Sequence, residues 1–428
     1  LGVVTIRDIV YKLDDESFIN QPVTRVMTSP LIYINHDSTV EEAVTLMEIK
    51  NVSYLAIVDN KQEVNGVLQK RDLFGVYSER FDFINESIES VKSVSELLRI
   101  RQKIPFIVKP LINEYGITSG INKVISGFND LICKKIISNA ILELGDPPAP
   151  FAFISLGSEG REELVFNADQ DNAIIYANNS VLSAELTEKD FAALSEKICT
   201  NLHESGLQLC SGGYMASNPL WCRPLSSWMD YFEDWITNAE PENILNISVF
   251  FDLRYIYGNR ELFNSLEDYI FKTLEGKSAF FYFLAQSVNS FKPQVNIFGN
   301  IISDSSRKSS ETLDIKRALS AVVMFARIFA LHNNIRQKGT LARISSLLSS
   351  GVLSKESADD IKFHFNFLMH LRTRHQCDQI LKWILPDNNI SSKNLSEMDK
   401  YVLKKVFTQM SNYDEILTAT FMSSYKGG

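Results

Sequence analysis

The sequence has few cysteines, and none of them are spaced as in a disulfide framework or a zinc site. Five cysteines occur in 428 residues, an odd number, and no two form a Cys-x-x-Cys pair. Disulfide-rich secreted domains and zinc modules depend on paired, closely spaced cysteines. We therefore expect reduced thiols and a cytoplasmic protein. The five positions are Cys133, Cys199, Cys210, Cys222 and Cys377.

The chain also lacks a basic excess and a long apolar run. Its 43 Lys and Arg residues stand against 52 Asp and Glu residues, which leaves a net charge of −9. Nucleic-acid-binding proteins usually carry a basic surface. The longest apolar run, residues 318–331, is interrupted by Arg327 and is too short to span a bilayer. These absences argue against nucleic acid and membrane as partners.

One stretch of the sequence carries recognisable chemistry, and it begins with an apolar segment followed by a Gly-Ser pair. Residues 151–156 predict a buried strand, and Gly157 and Ser158 predict a turn into a polar helix. Glycine at such a turn lets the backbone approach an anion closely. The first N–H groups of a helix attract phosphate oxygens. The pair therefore predicts a phosphate-binding turn.

The same stretch continues with two aspartates. Asp169 and Asp171 open a predicted second strand that runs to Tyr176. Residues i and i+2 of a strand point to the same face, so the two carboxylates are expected side by side. Such a pair suits a hard divalent cation, and we expect Mg²⁺. Together with the turn, the pair predicts a nucleoside triphosphate beside a metal; the alternative is an ordinary strand-turn-helix connection with a solvated acidic strand end.

A Gly-Ser pair followed by Asp-x-Asp resembles the signature of the DNA polymerase beta nucleotidyltransferase superfamily. Residues 156–162 are similar to the uridylyltransferases and adenylyltransferases of nitrogen regulation. They look most like the nucleotidyltransferase domains that follow cystathionine-beta-synthase (CBS) domains in bacterial signalling proteins. The resemblance implies ATP or UTP as the donor and a protein or small-molecule hydroxyl as the acceptor. It also implies that Asp169 and Asp171 are catalytic metal ligands and that Gly157 and Ser158 hold phosphates.

Two further candidate site residues are open to two interpretations each. Polymerase-beta-like enzymes usually carry a third carboxylate on a later strand, and Asp252 is the nearest candidate for this catalytic acid. Its alternative role is that of a helix residue paired with Arg254 or with a neighbouring helix. Arg161 either contacts a phosphate or pairs with Glu162 or Asp169 to brace the loop.

The N-terminal region contains an internal repeat, because the pattern of residues 2–9 recurs at residues 66–73. A capped amphipathic helix and a buried strand are predicted between the two copies. This order resembles a CBS domain. Residues 21–80 would be one copy, and residues 1–13 would be the tail of a preceding copy.

The CBS resemblance implies a site for an adenine nucleotide. In that family a Thr-x-x-Asp pattern binds the ribose, and Thr5 and Asp8 match it. The second copy supplies Asp72 but has Gln69 where Thr or Ser is usual. Alternatively, Asp8 and Asp72 only begin helices, where the helix dipole favours a carboxylate.

The incomplete pair of CBS copies also predicts assembly. CBS domains work in pairs, so we expect the chain to begin inside its sensory module and the protein to form a homodimer through residues 1–80. Tyr54, Leu55 and Ile57 are expected in the core of the complete copy.

The expected fold class is α+β and multidomain, with four regions. They are a CBS region (1–80), a helical coupling segment (90–145), a nucleotidyltransferase α/β domain (146–260) and a mostly helical domain (261–428). Helical periodicity predicts helices at about residues 188–204 and 357–383. The function expected is Mg²⁺-dependent nucleotidyl transfer regulated by adenine nucleotides. A non-catalytic nucleotide-sensing scaffold and a small-molecule transferase of the antibiotic-modifying kind are the alternatives.

Overall fold

The computed structural model describes most of the chain. The described residues are 2–4, 21–25, 27–38, 42, 43, 46, 47, 50, 52, 54–61, 63–69, 86–112, 118–178, 183–240, 244–288, 312–410 and 412–421. They form two compact units, residues 1–86 and residues 87–428. Thr5, Asp8 and Asp72, the candidate nucleotide-binding residues of the CBS region, lie outside the described residues.

The N-terminal unit contains a three-stranded sheet in the order β1-β2-β3. Its strands are β1 (Tyr33–Asn35), β2 (Tyr54–Val58) and β3 (Val64–Gln69). β1 pairs parallel with β2, which requires a crossover, and described residues between them are helical. β2 and β3 form an antiparallel pair. The chain therefore makes a β-α-β unit followed by a hairpin.

The core of this unit contains only part of the predicted set. Leu55 is buried as predicted, whereas Tyr54 and Ile57 are half-buried. Ala56 and Val58 of β2 are also buried, as is Ala43 in the helical crossover.

The larger unit combines helices with a second, four-stranded sheet and a short two-stranded ribbon. Its helices are α1 (Val94–Ile112), α2 (Thr118–Leu144), α3 (Gly157–Gly160), α4 (Ala184–Glu204), α5 (Leu225–Thr237), α6 (Ile244–Ile247), α7 (Arg260–Leu274), α8 (Ser278–Ser287), α9 (Ile315–His332), α10 (Thr340–Ser349), α11 (Lys355–Leu381), α12 (Glu397–Met410) and α13 (Asn412–Phe421). Its strands are β4 (Phe151–Ser155), β5 (Asn172–Tyr176), β6 (Cys222–Pro224), β7 (Arg254–Gly258), β8 (Thr312–Asp314) and β9 (Asn389–Ser391).

The four-stranded sheet has the order β6-β5-β4-β7. β4 is antiparallel to both β5 and β7, and β6 is parallel to β5. Every residue of β4 and β5 is buried, because α5 and α7 cover one face of the sheet while α2 and α4 cover the other. The α+β fold class predicted from the sequence is confirmed.

Helix ends follow local capping groups. α4 starts at Ala184, four residues before the predicted start, because the Ser183 hydroxyl accepts the Leu186 N–H. α11 starts at Lys355 behind an N-cap serine and ends at Leu381 rather than at residue 383. No helix among the described residues has the length and apolarity needed to cross a membrane.

The C-terminal helices pack around α9, which is buried on almost every side. The ribbon of β8 and β9 fixes the start of this helix, since the Ile315 N–H donates to the Asn388 carbonyl at 3.0 Å. α11 also contacts α1, where the Cys377 thiol donates to the Pro105 carbonyl. The predicted coupling helices α1 and α2 therefore belong to the same compact unit as the sheet.

Candidate active site

The Gly-Ser turn lies at the end of the central strand β4. Gly157 adopts a φ of +57°, a left-handed conformation that glycine tolerates best. A Cβ atom at Gly157 would lie 3.0 Å from Asp171 Oδ2 and 3.0 Å from Val249 Cγ2. The backbone therefore passes directly beside the Asp171 carboxylate. The predicted helix after the turn is the single turn α3.

The two aspartates precede β5, which begins at Asn172 rather than at Asp169. Asp169 forms a parallel bridge with Gln208, so the extended conformation already begins there. Gln170 and Asn172 are buried on the other side, where the Gln170 amide donates to the Cys199 carbonyl and Asn172 Oδ1 accepts the Ala216 N–H. The alternation leaves Asp169 and Asp171 half-buried on the same side.

The electrostatic environment of Asp171 suits a bound cation. Burial raises the pKa of Asp171 to about 6, against the lowering effects of a Cys210 hydrogen bond and the Lys316 ammonium. The neighbouring Asp169 carboxylate raises this pKa further. A divalent cation between the two carboxylates would remove their repulsion.

The donor set fits Mg²⁺ that shares its coordination with a substrate. Among the described residues, no group of three or more His, Cys, Asp or Glu side chains could hold a metal. Protein-bound Mg²⁺ commonly uses one or two carboxylates and fills the other positions with phosphate and water oxygens. Asp169 and Asp171 provide such a pair.

A cleft beside the turn is lined by basic side chains from the C-terminal helices. Ser158 and Arg161 line it on the sheet side, while Lys316 and Arg327 of α9 and Arg372 of α11 line the opposite side. Sequence reasoning missed these helix residues, because they are distant in sequence from the turn and follow no local motif.

Arg372 presents free donors to this cleft. Its Nε donates to Asn388 Oδ1 at 2.8 Å, and its two terminal nitrogens have no hydrogen-bond partner within the described part of the chain. Burial lowers the pKa of Arg372 to about 10, and the Arg161 cation lowers it further, while Asp314, Asp169 and Glu163 oppose these effects. The side chain therefore remains a cation at neutral pH.

Asp252 lies in a cluster of three arginines. It is completely buried at the end of the 3-10 helix Ser248–Asp252. Its Oδ2 accepts from Arg161 at 2.5 Å and from Arg327, and its Oδ1 accepts from Arg343 at 2.6 Å. Burial alone would raise the pKa of Asp252, but these three cations hold it well below its usual range.

This arrangement favours the ion-pair interpretation of Asp252 over that of a catalytic acid. Both carboxylate oxygens are occupied by arginine donors, so the group is not available to a metal. The alternative, pairing with basic residues of neighbouring helices, fits better. Arg254 is not one of these partners, because it forms a bidentate ion pair with Asp130 of α2 at 2.6 and 2.9 Å.

Arg161 braces the loop, as one of its two interpretations predicted, although through other partners. Its Nε donates to Glu163 Oε2 at 2.6 Å, and its Nη1 donates to Asp252. Glu163 in turn accepts the Thr340 N–H at 2.6 Å, at the first residue of α10. The loop after the turn is thereby bound to the C-terminal helices.

A buried polar network lies behind the turn and joins it to the coupling helices. Glu159 of α3 accepts from the Asn129 amide, and the Asn129 carbonyl oxygen accepts from Arg101 of α1. Arg254 donates to the Glu159 backbone carbonyl at 2.9 Å. Burial raises the pKa of Glu159 to about 8, and the Asp130 carboxylate contributes to this increase. In the sequence, this network is indicated only by the polar residues 129 and 130, which lie within the apolar stripe of a predicted helix.

Three family models match parts of the chain. Residues 102–242 match the family described as "Putative nucleotidyltransferase DUF294". Residues 278–421 match the "Putative nucleotidyltransferase substrate binding domain", and residues 23–79 match the CBS domain.

One curated relative is the "Uncharacterized protein MJ1232" of Methanocaldococcus jannaschii. It is 30% identical over 81 residues, which are 19% of this chain and 26% of that protein. The match thus spans about a quarter of the relative's length. The family matches show that the chain contains a CBS domain, a DUF294 nucleotidyltransferase-family domain and that family's C-terminal domain, the architecture predicted from the sequence.

Proposed function

We propose that the protein transfers a nucleoside monophosphate from a nucleoside triphosphate to a hydroxyl group, with Mg²⁺ as the metal. One observation carries the proposal. Gly157 packs beside the Asp171 carboxylate, and the next residue, Ser158, lines a cleft shared with Lys316 and Arg372. Paired carboxylates and free cations around one turn are the groups that a metal-bound triphosphate requires.

Each side chain has a separate task. Asp169 and Asp171 would hold Mg²⁺, which supplies charge neutralisation at the phosphates. The Ser158 hydroxyl and the backbone at Gly157 hold the β- and γ-phosphates. Lys316 and Arg372 orient the triphosphate from the opposite wall. Fixed positive charges of this kind accelerate phosphoryl transfer by positioning and by stabilising developing charge.

The reaction conserves atoms and charge without an additional reagent. The acceptor oxygen forms a bond to the α-phosphorus, and the bond from that phosphorus to the oxygen bridging the β-phosphate breaks. Pyrophosphate leaves, and the hydroxyl proton passes to solvent. ATP and UTP are the candidate donors, and the acceptor is a protein or a small molecule.

Regulation is proposed to come from the CBS domain. An adenine nucleotide would bind there, with Thr5, Asp8 and Asp72 as candidate contacts, and a homodimer would form through residues 1–80. The network of Arg101, Asn129 and Glu159 supports a route for the signal, because a shift of α1 or α2 would displace groups directly behind the phosphate turn.

A non-catalytic, nucleotide-sensing scaffold is the second candidate. It is favoured by the absence, within the described ranges, of a third carboxylate beside Asp169 and Asp171. Such a protein would bind a triphosphate without turning it over. Pyrophosphate release across a broad set of acceptors separates the two candidates, since only the enzyme releases pyrophosphate in a reaction that depends on Asp171.

The test of triphosphate binding is calorimetric titration of the protein with ATP and UTP, with and without Mg²⁺. We expect Mg²⁺-dependent binding that Asp169→Asn/Asp171→Asn weakens by at least about tenfold. Lys316→Ala and Arg372→Ala should each weaken it about tenfold, since each removes a charge-assisted contact.

The matched control is Asp190→Asn/Asp230→Asn, which removes the same charge from two exposed positions on α4 and α5 outside the cleft. This control should bind like the wild type. The thermal stability of the site variant should stay unchanged or rise, because two neighbouring carboxylates repel each other without a metal. Equal binding by the site variant and the control would refute the metal site.

A further inference from the structure

A second cleft adjoins the proposed phosphate cleft. Arg161, Glu163, Phe365 and Met369 line both clefts and so form the wall between them. The far side of the second cleft is formed by α2 and by the start of α10. A molecule bound there would lie next to the triphosphate without occupying its site.

Two residues that line the second cleft each carry a buried polar atom without a partner in the described part of the chain. Thr340 is 0% exposed and Asn122 is 2% exposed. Thr340 Oγ1 and Asn122 Oδ1 have no hydrogen-bond partner among the described residues, although the Asn122 amide donates to the Leu164 carbonyl. An unsatisfied buried polar group costs about 1–3 kcal/mol, so such groups in a native fold call for an explanation. Both residues line the second cleft, which makes a polar ligand bound there a candidate partner for these atoms.

The start of α10 adds free donors to the same cleft. Its N-cap is Gly339, which offers no side-chain cap, and Glu163 accepts only the Thr340 N–H. The N–H groups of Leu341 and Ala342 have no backbone or side-chain acceptor among the described residues. Such N–H groups at a helix start accept ligand oxygens readily.

The charges of the cleft favour a hydroxyl-bearing ligand over a simple anion. Three of its cations are already engaged by carboxylates: Arg161 by Glu163, Arg254 by Asp130, and Lys338 by Glu267. A fourth cation, Lys123, is exposed and lines the cleft together with the Glu162 carboxylate, so these two charges are opposite in sign. The remaining free groups are an acceptor at Asn122, donors at the start of α10, and the Thr340 hydroxyl, which can both donate and accept. Hydroxyl groups can both donate and accept, so a ligand with several hydroxyls matches this mixture.

We propose that the second cleft binds the acceptor of nucleotidyl transfer and that this acceptor is a small polyhydroxylated molecule, such as a cyclic polyol or a sugar. One hydroxyl reaches past the shared wall to the α-phosphate, while the others bind Thr340, Asn122 and the start of α10. This inference rests on the proposed function.

The probes are myo-inositol, D-glucose, sn-glycerol 3-phosphate and inorganic phosphate, each titrated into the full chain with binding followed by saturation-transfer NMR. We expect at least one of the three polyols to bind. Thr340→Val should weaken that binding by about fivefold or more, because it deletes one hydrogen bond. Its thermal stability should be unchanged or higher, because valine replaces a buried hydroxyl that has no partner.

Thr373→Val is the matched control. Thr373 is also fully buried with an unpaired Oγ1, but it lines neither cleft. It should therefore affect stability as Thr340→Val does and leave polyol binding unchanged. An equal loss of binding in both variants would overturn the inference. Binding of none of the polyols, or of inorganic phosphate alone, would overturn it as well.

Two further arms separate this inference from the proposed function. The variant Asp169→Asn/Asp171→Asn should lose Mg²⁺-triphosphate binding and retain polyol binding. If the protein binds Mg²⁺-triphosphate but no polyol, only the acceptor pocket is refuted. Nucleotidyl transfer to a protein rather than to the bound polyol would also refute the acceptor pocket and leave the proposed function intact. A protein that binds a polyol but no triphosphate refutes the proposed function and, with it, the acceptor role of the cleft.

Discussion

The role of Asp252 can be tested by the substitution Asp252→Asn, which removes one negative charge at constant shape. Arg327 and Arg343 would then be buried without a counter-charge, since their side chains are only 5% and 2% exposed. Arg161 would keep Glu163 as a partner. Breaking a buried ion pair by removing one partner costs about 3–5 kcal/mol, and we expect a loss of that size in the free energy of unfolding.

The measurement is urea denaturation followed by tryptophan fluorescence. All four tryptophans lie beyond residue 220, so the signal reports on the larger unit alone. The control is Asp268→Asn, because Asp268 pairs with Arg336 on the surface and exposed pairs contribute about 0–1 kcal/mol. The arginines hold the pKa of Asp252 below its unfolded value of about 3.9, so its contribution is present above that pH and is lost only in stronger acid.

The refuting result is a loss below about 1 kcal/mol for Asp252→Asn, no larger than that expected for the surface control. Loss of Mg²⁺-triphosphate binding with stability retained would instead support Asp252 as the third catalytic acid. The two roles therefore predict opposite combinations of stability and binding.

Two other predictions concern the helices and the assembly. Burial raises the pKa of Glu159 to about 8, so between the unfolded value of about 4.3 and 8 the folded state holds an extra proton and wild-type stability falls as the pH rises. Glu159→Gln has no titrating group at this position, so its stability relative to the wild type should rise with pH by up to about 1.4 kcal/mol per pH unit. Urea titrations at pH 5.5 and 7.5 measure this difference. An equal difference at both pH values would contradict the raised pKa of Glu159. Deletion of residues 1–80 should convert the proposed dimer to a monomer in sedimentation, and a dimer that survives the deletion would locate the interface elsewhere.

The local half of the candidate site could be predicted because its geometry depends on short spacings. Gly157 and Ser158 follow directly from a strand end, and the alternation of an extended chain places Asp169 and Asp171 on one side. These few residues and the periodicity of a strand are sufficient to predict the phosphate turn and the carboxylate pair.

The other half could not be predicted, because packing brings it from distant segments. Lys316 and Arg372 reach the cleft from helices more than 140 residues beyond Asp171. The arginines around Asp252 come from three segments, and nothing near residue 252 signals them. The sequence therefore left Asp252 open to two interpretations, a catalytic acid or an ion-pair partner, whereas in the structure arginines contact both of its oxygens.

The arginine cluster around Asp252 also limits where recombination can divide the gene. The 3-10 helix before β7 supplies Asp252, while α9 and α10 supply Arg327 and Arg343. A break in the gene near residue 260 would therefore separate this buried carboxylate from two of its arginines. The N-terminal fragment would keep the pair of Arg161 with Asp252, but the C-terminal fragment would have to bury Arg327 and Arg343 without a counter-charge, which is costly in an apolar interior. Recombination that joins these arginines to a segment without the carboxylate should therefore be eliminated by selection, and Asp252 should be inherited together with Arg327 and Arg343.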